Sequence, residues 1–479
     1  MKYIVVSKIL TRILSISTVA FIVCAFIALD YHESTKPFVY SAAISTFLSG
    51  LLYLFSKDKE LNNLNKKSAY LSVTFAWFLI SMVGSLPFIF SGYFATTLDA
   101  FFESVSGFTT TGASILPDIE SLPKSILFWR SLTHWIGGIG IIVLVILVMP
   151  ALKIGSYNLF TLESSLPEKI HPRIQSVGRR LLYIYLLLTV AEIVFLLIGH
   201  MPLYDSVCHA FGTISTGGFS PKNTSLAGYS PYLQYVVMVF MLLGGTNFII
   251  HYYLFKRKFY KIKKNEELRF YLFVVATSGL IVTLVLFFNS ERSIELSFRE
   301  AFFQVISIIT CTGFATSDYL LWPRMGWVLI FVLMFFGGSM GSTAGGIKMA
   351  RHLIAVKNIK NIFYKLKHPN SIHVVRLNSK VVSSRENHST MMFILWYIMA
   401  FLLGSYVLII IGLDGSTALS SIATAMGGIG PGLGSVGPAS NFAHLPQSAK
   451  FVIMLFMILG RLEIYPVLIL FTPFFWKNV

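Results

Sequence analysis

The sequence predicts an all-α polytopic membrane protein. Four pseudo-symmetric span–short-helix–span units are expected around one pore, with an additional N-terminal pair of transmembrane helices. The 479 residues are 55% hydrophobic and 12% charged, whereas soluble domains carry about 25% charged residues. A short run of Thr, Ser and Gly also recurs four times along the chain, and such recurrence at a nearly fixed period is typical of internal repeats.

The four polar runs comprise residues 108–114, 214–219, 310–315 and 427–432. If Gly112, Gly217, Gly313 and Gly430 are equivalent, the intervals between them are 105, 96 and 117 residues. The several glycines of the fourth run leave its register open by two residues. One Thr-x-Gly is uninformative, but four at this spacing, each after a short apolar segment, predict a shared structural role.

An acidic residue precedes the aligned glycine of each polar run by 12 to 16 residues, at Asp99, Asp205, Glu300 and Asp414. Carboxylates are favourable at helix N-termini, where unpaired N–H groups and the helix dipole are positive. Each unit is therefore predicted to contain a short helix whose negative C-terminal end points at the polar run. Four such ends meeting on one axis would form a cation site.

The composition of the polar runs suits a cation that loses its hydration shell, because oxygens must then replace the water. Potassium-channel filters achieve this with rings of backbone carbonyls from four loops. Glycine lets the backbone adopt conformations that are closed to other residues, and Thr and Ser add hydroxyl oxygens.

The elements follow in order. Spans 9–29 and 38–55 form the N-terminal pair, 1–67, and the four units are 68–177, 178–267, 268–386 and 387–479. The first span of each unit is predicted at 69–90, 181–198, 270–288 and 391–411. The short helices are predicted at 99–108, 205–214, 300–309 and 414–426. The second spans are predicted at 125–150, 231–255, from about 325, and 451–475. About ten full spans result, at about 20 apolar residues each, and the short helices are re-entrant.

Charge predicts the orientation. Of the 38 Lys and Arg residues, 29 fall on one side, so the positive-inside rule makes that side and both termini cytoplasmic. The net charge of +17 is thereby explained without nucleic acid. The polar runs then face outward, and a cation-attracting mouth is expected from Asp99, Glu103, Asp118, Glu120 and Asp205. The three cysteines show neither a disulfide framework nor a metal-ligand spacing.

A Gly-rich stretch, 337–348, interrupts the second span of the third unit. Each glycine costs about 1 kcal/mol in a helix relative to alanine. One interpretation is a close-packed helix crossing, since small residues let helices approach. The favoured interpretation is an unwound intramembrane loop beneath the polar runs, because the small residues are consecutive rather than four apart.

Arg461 lies within the last predicted span, and a charge at membrane depth usually faces a pore or a partner. It is expected either to pair structurally with Glu463 or with backbone carbonyls, or to act as an electrostatic barrier in a permeation path.

With these features together, the chain resembles the Trk/Ktr/HKT superfamily of potassium transporters, closest to its TrkH/TrkG branch. The resemblance covers nearly the whole chain. It rests on the polar runs, Trp-Ile-Gly-Gly-Ile-Gly at 135–140, the Gly-rich stretch, Gly-Arg-Leu-Glu at 460–463 and the N-terminal pair.

The resemblance implies a homodimer that takes up K⁺ across a bacterial inner membrane, in contact with membrane lipids and with a cytoplasmic RCK-type, TrkA-like regulatory subunit. A nucleotide, ATP/ADP or NAD, is expected on that subunit alone, and no covalently bound cofactor is expected. The implied potassium-binding selectivity filter is Thr110, Thr111, Gly112, Ser215, Thr216, Gly217, Cys311, Thr312, Gly313, Gly428, Ile429 and Gly430. The implied gate is Gly337, Gly338, Gly341, Gly345, Gly346, Lys348 and Arg461.

Two other classes compete with a passive pore. A potassium symporter coupled to protons or sodium usually shows inverted repeats, whereas the units here run in one orientation. A membrane-embedded enzyme needs a clustered acid/base or metal-ligand set. Glu192, Arg461 and Glu463 do not form one by their spacing, so the chain is predicted not to be an enzyme.

Overall fold

The computed structural model describes residues 2–56, 66–143, 174–371 and 373–476. In this part of the chain the regular secondary structure is helical, apart from an isolated bridge and one hairpin of two short strands, β1 (Arg376–Leu377) and β2 (Lys380–Val381). Six of its helices are long and apolar enough to cross a membrane, or up to eight spans if each of two bent helix pairs counts as one. The predicted all-α polytopic fold is confirmed.

The N-terminal pair consists of α1 (Lys2–Asp30) and α2 (Lys36–Ser56). The two helices pack together along their lengths, and the Ser45 hydroxyl donates to the Leu14 carbonyl at 3.0 Å. The pair is fastened to the rest of the protein by Glu33, whose carboxylate accepts the backbone N–H groups of Lys124 at 2.7 Å and Ser125 at 2.9 Å. This carboxylate satisfies N–H groups at the start of a later helix, Lys124–Val143, where negative charge is favourable.

The remaining helices follow in chain order. The first group is α3 (Lys66–Gly84), α4 (Leu86–Ser91), α5 (Thr97–Phe108) and α6 (Lys124–Val143). The second is α7 (Ile174–Ile198), α8 (Leu203–Ile214), α9 (Pro231–Gly244), α10 (Phe248–Phe255) and α11 (Phe259–Lys263). The third is α12 (Glu266–Asn289), α13 (Ile294–Ile309), α14 (Arg324–Leu333) and α15 (Met349–Lys367). The fourth is α16 (Ser384–Ile411), α17 (Gly415–Gly427), α18 (Gln447–Arg461), α19 (Tyr465–Leu468) and α20 (Pro473–Trp476).

The short helices α5, α8, α13 and α17 lie in the hydrophobic core, each with most of its side chains buried. Asp414 caps α17, and hydrogen bonds from Ser416 and Thr417 lower the pKa of its carboxyl to about 2. The prediction that Glu300 begins α13 is wrong. The helix starts six residues earlier because the Ser293 side chain accepts the Leu296 N–H, a standard N-cap.

Unbroken second spans were predicted at 231–255 and 451–475, and these predictions are wrong. The helices α9 and α10 meet at 101°, and the chain bends by 112° between α18 and α19. In the third group α14 stops at Leu333 and no helix resumes before Met349. Three of the ten or so predicted full spans are therefore interrupted within the described residues. The end of the predicted span 125–150 lies outside the described residues.

Candidate functional site

The four polar runs share one backbone conformation immediately after α5, α8, α13 and α17. Each contains two left-handed residues separated by one residue, with φ between 53° and 91°. The pairs are Thr110 and Gly112, Thr216 and Gly218, Cys311 and Gly313, and Gly428 and Gly430. The left-handed conformation is costly for a residue other than glycine, so its occurrence at Thr110, Thr216 and Cys311 shows that the surroundings enforce it.

This conformation corrects the alignment of the second polar run. Gly218, not Gly217, is the residue equivalent to Gly112. The backbone hydrogen bonds agree, since the central residues of the four runs donate to the carbonyl five residues earlier. These bonds join Thr111 to Ser106 at 2.9 Å, Gly217 to Gly212 at 2.8 Å, Thr312 to Ser307 at 2.8 Å and Ile429 to Thr424 at 3.0 Å. They also fix the open register of the fourth run, with Gly430 equivalent to Gly112.

The polar runs touch one another in sequence and close into a ring. The second left-handed residue of each run is a glycine, and a Cβ atom added there would collide with the backbone of the next run. At Gly112 this Cβ would lie 2.2 Å from the Gly217 oxygen, and at Gly218 it would lie 1.9 Å from the Thr312 oxygen. At Gly313 it would lie 1.8 Å from the Ile429 oxygen, and at Gly430 it would lie 2.8 Å from the Thr111 oxygen. Glycine is thus required at these positions both by conformation and by close approach.

Hydrogen bonds between neighbouring segments fasten this ring all the way round. They join Arg130 Nη1 to the Ser220 carbonyl at 2.9 Å, the Leu226 N–H to the Ala315 carbonyl at 3.1 Å, Tyr319 Oη to the Gly432 carbonyl at 2.6 Å, and the Phe442 N–H to the Ser114 carbonyl at 2.8 Å. A hydrogen bond thus joins the segments around each pair of adjacent runs, which favours one ring diameter over a range of diameters.

Two threonine hydroxyls of the ring form hydrogen bonds with other hydroxyls of the protein. The Thr111 hydroxyl bonds the Thr109 hydroxyl at 2.8 Å, and Thr312 bonds Thr310 in the same way at 2.7 Å. Thr109 and Thr310 also donate back to carbonyls of their own short helices, each at 2.7 Å. These hydroxyls are therefore occupied, and the backbone carbonyls are the ring groups best suited to face a cation.

A buried ion pair lies beside the first polar run. Glu103 accepts Arg130 Nε at 2.5 Å, the Ser114 hydroxyl at 3.0 Å and the Ile115 N–H at 3.0 Å. The Arg130 guanidinium also stacks on the Phe219 ring, 3.7 Å from its centroid. The pair thus links the first polar run to the second, with both side chains out of solvent.

The prediction of a cation-attracting acidic mouth is wrong in part, because some of its carboxylates are buried in ion pairs. Glu103 is buried in the pair, and Asp99 is buried against Lys450 at 2.7 Å. Asp118 and Glu120 are exposed, but Glu120 pairs with Lys222 at 3.1 Å. The sequence does not show which carboxylates are buried in ion pairs, so the prediction could not distinguish them from carboxylates that face solvent.

We expect Glu103→Gln to destabilise the protein strongly. The substitution keeps the side-chain size but leaves the Arg130 charge buried without a counter-charge, and breaking such a pair typically costs about 3–5 kcal/mol. Thermal unfolding of the detergent-purified protein measures the effect. Glu120→Gln is the matched control, because its pair with Lys222 is exposed and contributes about 0–1 kcal/mol. Equal melting temperatures for the two variants would contradict a structural role for the Glu103 pair.

The Gly-rich stretch forms a loop without helix, and the alternative of a packed helix crossing is wrong. Its two ends come together where Phe336 pairs with Ile347 as a parallel bridge and the Gly337 N–H donates to the Ile347 carbonyl at 2.9 Å. Gly341 and Gly346 are left-handed, which no regular helix accommodates.

This loop lies against the C-terminal ends of two short helices. The Thr343 hydroxyl donates to the carbonyls of Ile214 at 2.9 Å and Gly244 at 3.2 Å. A Cβ at Gly345 would lie 2.1 Å from the Gly427 oxygen. Ile214 and Gly427 are the last residues of α8 and α17, so the Gly-rich stretch occupies the space next to the ring.

Glu267 and the break between α9 and α10 also hold the Gly-rich stretch. Glu267 Oε1 accepts the N–H groups of Met340 at 2.7 Å and Ala350 at 3.1 Å. The break between α9 and α10 supplies the other contact, with the Phe248 N–H donating to the Gly341 carbonyl at 3.2 Å. Backbone groups freed by the break are thus satisfied by the loop, as irregular backbone at membrane depth requires.

Arg461 reaches the same loop from α18. Its guanidinium is buried and donates to the carbonyls of Thr343 at 2.9 Å and Gly137 at 3.0 Å. Lys348 Nζ donates to the Ala344 carbonyl. The predicted Arg461–Glu463 pair is wrong, since Glu463 pairs with Arg351 at 2.6 Å; the pairing with carbonyls is observed.

Comparisons with known proteins agree with this architecture. The family model TrkH, described as cation transport protein, matches residues 34–478. The Trk system potassium uptake protein TrkH of Salmonella typhimurium is 35% identical, covering 98% of this chain and 99% of that protein. TrkG of Escherichia coli K12, also a Trk system potassium uptake protein, is 35% identical over 94% of each chain. The crystal structure of the potassium transporter TrkH from Vibrio parahaemolyticus matches with a TM-score of 0.91 at 31% identity and 100% coverage of both chains.

Proposed function

Because the chain belongs to the TrkH family of cation transport proteins, we propose that it takes up potassium across a bacterial inner membrane through the ring of polar runs. The observation that carries this proposal is the closed ring itself, with its repeated pairs of left-handed residues. Relatives over nearly the whole length are named potassium uptake proteins. The ring carbonyls would replace the hydration shell of K⁺, as filter carbonyls do in potassium channels.

The potassium-binding residues are then those of the aligned runs. They are Thr110 to Gly112, Thr216 to Gly218, Cys311 to Gly313 and Gly428 to Gly430. Ser215 is the C-cap of α8, and its hydroxyl donates to the Phe211 carbonyl, so in this proposal it supports the filter rather than lining it.

The Gly-rich stretch is the gate in this proposal. It lies next to the ring and is held there by bonds from Thr343, Arg461 and Glu267. Opening requires these bonds to break together. The loop continues directly into α15, so a movement of α15 would be transmitted to the loop.

A regulatory partner has a suitable surface on α15. Four large apolar side chains, at Ile359, Ile362, Phe363 and Leu366, are more than half exposed, and their spacing places them on one helix face. We infer that this face contacts either a second copy of the chain, in a homodimer, or an RCK-type, TrkA-like subunit that binds the nucleotide. The positive-inside rule makes this side and both termini cytoplasmic.

Rubidium uptake into liposomes that contain the purified protein tests the proposed function. We expect ⁸⁶Rb⁺ to enter down its own gradient with no imposed proton or sodium gradient, and sodium to enter more slowly. Protein-free liposomes are the control. Uptake that requires a gradient of a second ion would contradict the passive pore and indicate a coupled symporter.

A further inference from the structure

A cavity of about 380 Å³ lies between α1, α3 and α6. Ile9, Ile13 and Ile16 of α1 form one wall, Ala76 and Trp77 of α3 a second, and Ile139 of α6 a third. Ser72 supplies the one hydroxyl among its lining residues. Apolar cavities stay dry even at about 150 Å³ and accept hydrocarbon, so water is not a suitable occupant.

The cavity opens sideways, towards the face of α1 that a membrane would cover. Ile16 lines it and is also 55% exposed. Val19 and Phe26, further along α1, are exposed as well, and this helix is one of those long and apolar enough to cross a membrane. We propose that one hydrocarbon chain of a bilayer lipid enters past Ile16 and fills the cavity.

The inner wall connects this site to the structure around the ring. Phe108, the last residue of α5, lines the cavity, as does Gly137, whose carbonyl accepts Arg461. The Trp77 ring lies 5.7 Å from the Arg461 guanidinium. An acyl chain would therefore supply packing atoms directly behind the first polar run, where an empty cavity forfeits dispersion contacts.

Photolabelling with a phosphatidylglycerol that carries a diazirine on its acyl chain tests the proposal in the full-length protein in liposomes. Mass spectrometry then locates the labelled residues. We expect labels on the cavity side chains Ala76, Ile80 and Ile139, in addition to labels on the exposed face around Val19. Labels confined to the exposed face would overturn the proposal.

Ala76→Phe, which fills the cavity, should abolish cavity labelling and leave labelling of the exposed face unchanged. That second signal also shows that the variant is folded and in the membrane. Gly140→Leu is a second filling variant, since a Cβ there meets Trp77 at an ordinary 3.4 Å. Val19→Phe adds the same bulk outside the cavity and should retain both signals. Unchanged cavity labelling in both filled variants would also overturn the proposal.

Discussion

Gly313→Ser is expected to reduce the preference for rubidium over sodium by at least about tenfold, which corresponds to ~1.4 kcal/mol. Gly313 has φ of +82°, and a Cβ there would lie 1.8 Å from the Ile429 oxygen. The left-handed conformation alone costs an ordinary residue roughly 1–2 kcal/mol. Relief of the collision must also displace the neighbouring run, so the carbonyls would no longer fit one ion radius. Paired rubidium and sodium uptake in liposomes measures the change.

Gly415→Ser is the matched control for this experiment. It makes the same chemical change at the first residue of α17, where a Cβ meets nothing within 4 Å. It should keep the wild-type preference. A folded Gly313→Ser protein that discriminated between the ions as the wild type does would show that the ring is not the selectivity filter.

The sequence predicted the parts of this site whose chemistry is local. Four short apolar helices, each followed by a run of Thr, Ser and Gly, are visible without a structure because composition and spacing are sufficient. The one-residue error in the second run arose because Gly217 and Gly218 are adjacent and only the backbone angles distinguish them. The pair of adjacent glycines was itself the signal that two alignments were possible.

The parts that failed depend on contacts between distant segments. The predicted span 231–255 ran across Gly244-Gly245-Thr246-Asn247, whereas the break there is stabilised by the Gly341 carbonyl, 93 residues from Phe248. Glu267 was missed because it follows a strongly basic segment and resembles a solvated residue. It is in fact fully buried, and its carboxylate binds both sides of the Gly-rich stretch.

Arg461→Ala is expected to raise basal rubidium flux by at least about tenfold. The guanidinium ties the Thr343 carbonyl of the Gly-rich stretch to the Gly137 carbonyl of α6. Hydrogen bonds from a charged group contribute about 1.5–3 kcal/mol each, and each 1.4 kcal/mol shifts an equilibrium tenfold. Loss of one such bond to the loop is therefore enough to shift the balance towards the open state. Rubidium uptake without regulatory partner is the measurement.

Arg461→Lys separates two explanations for the same result. If Arg461 acts only as a positive barrier to cations, lysine preserves the charge and flux should stay low. If it acts as a tether, the compact ammonium cannot reproduce the planar fork that reaches two carbonyls at once, and flux should rise nearly as far as in Arg461→Ala. The geometry favours the tether. Unchanged or lower flux in a folded Arg461→Ala protein would exclude both explanations, and the closed loop would then depend on Thr343 and Glu267.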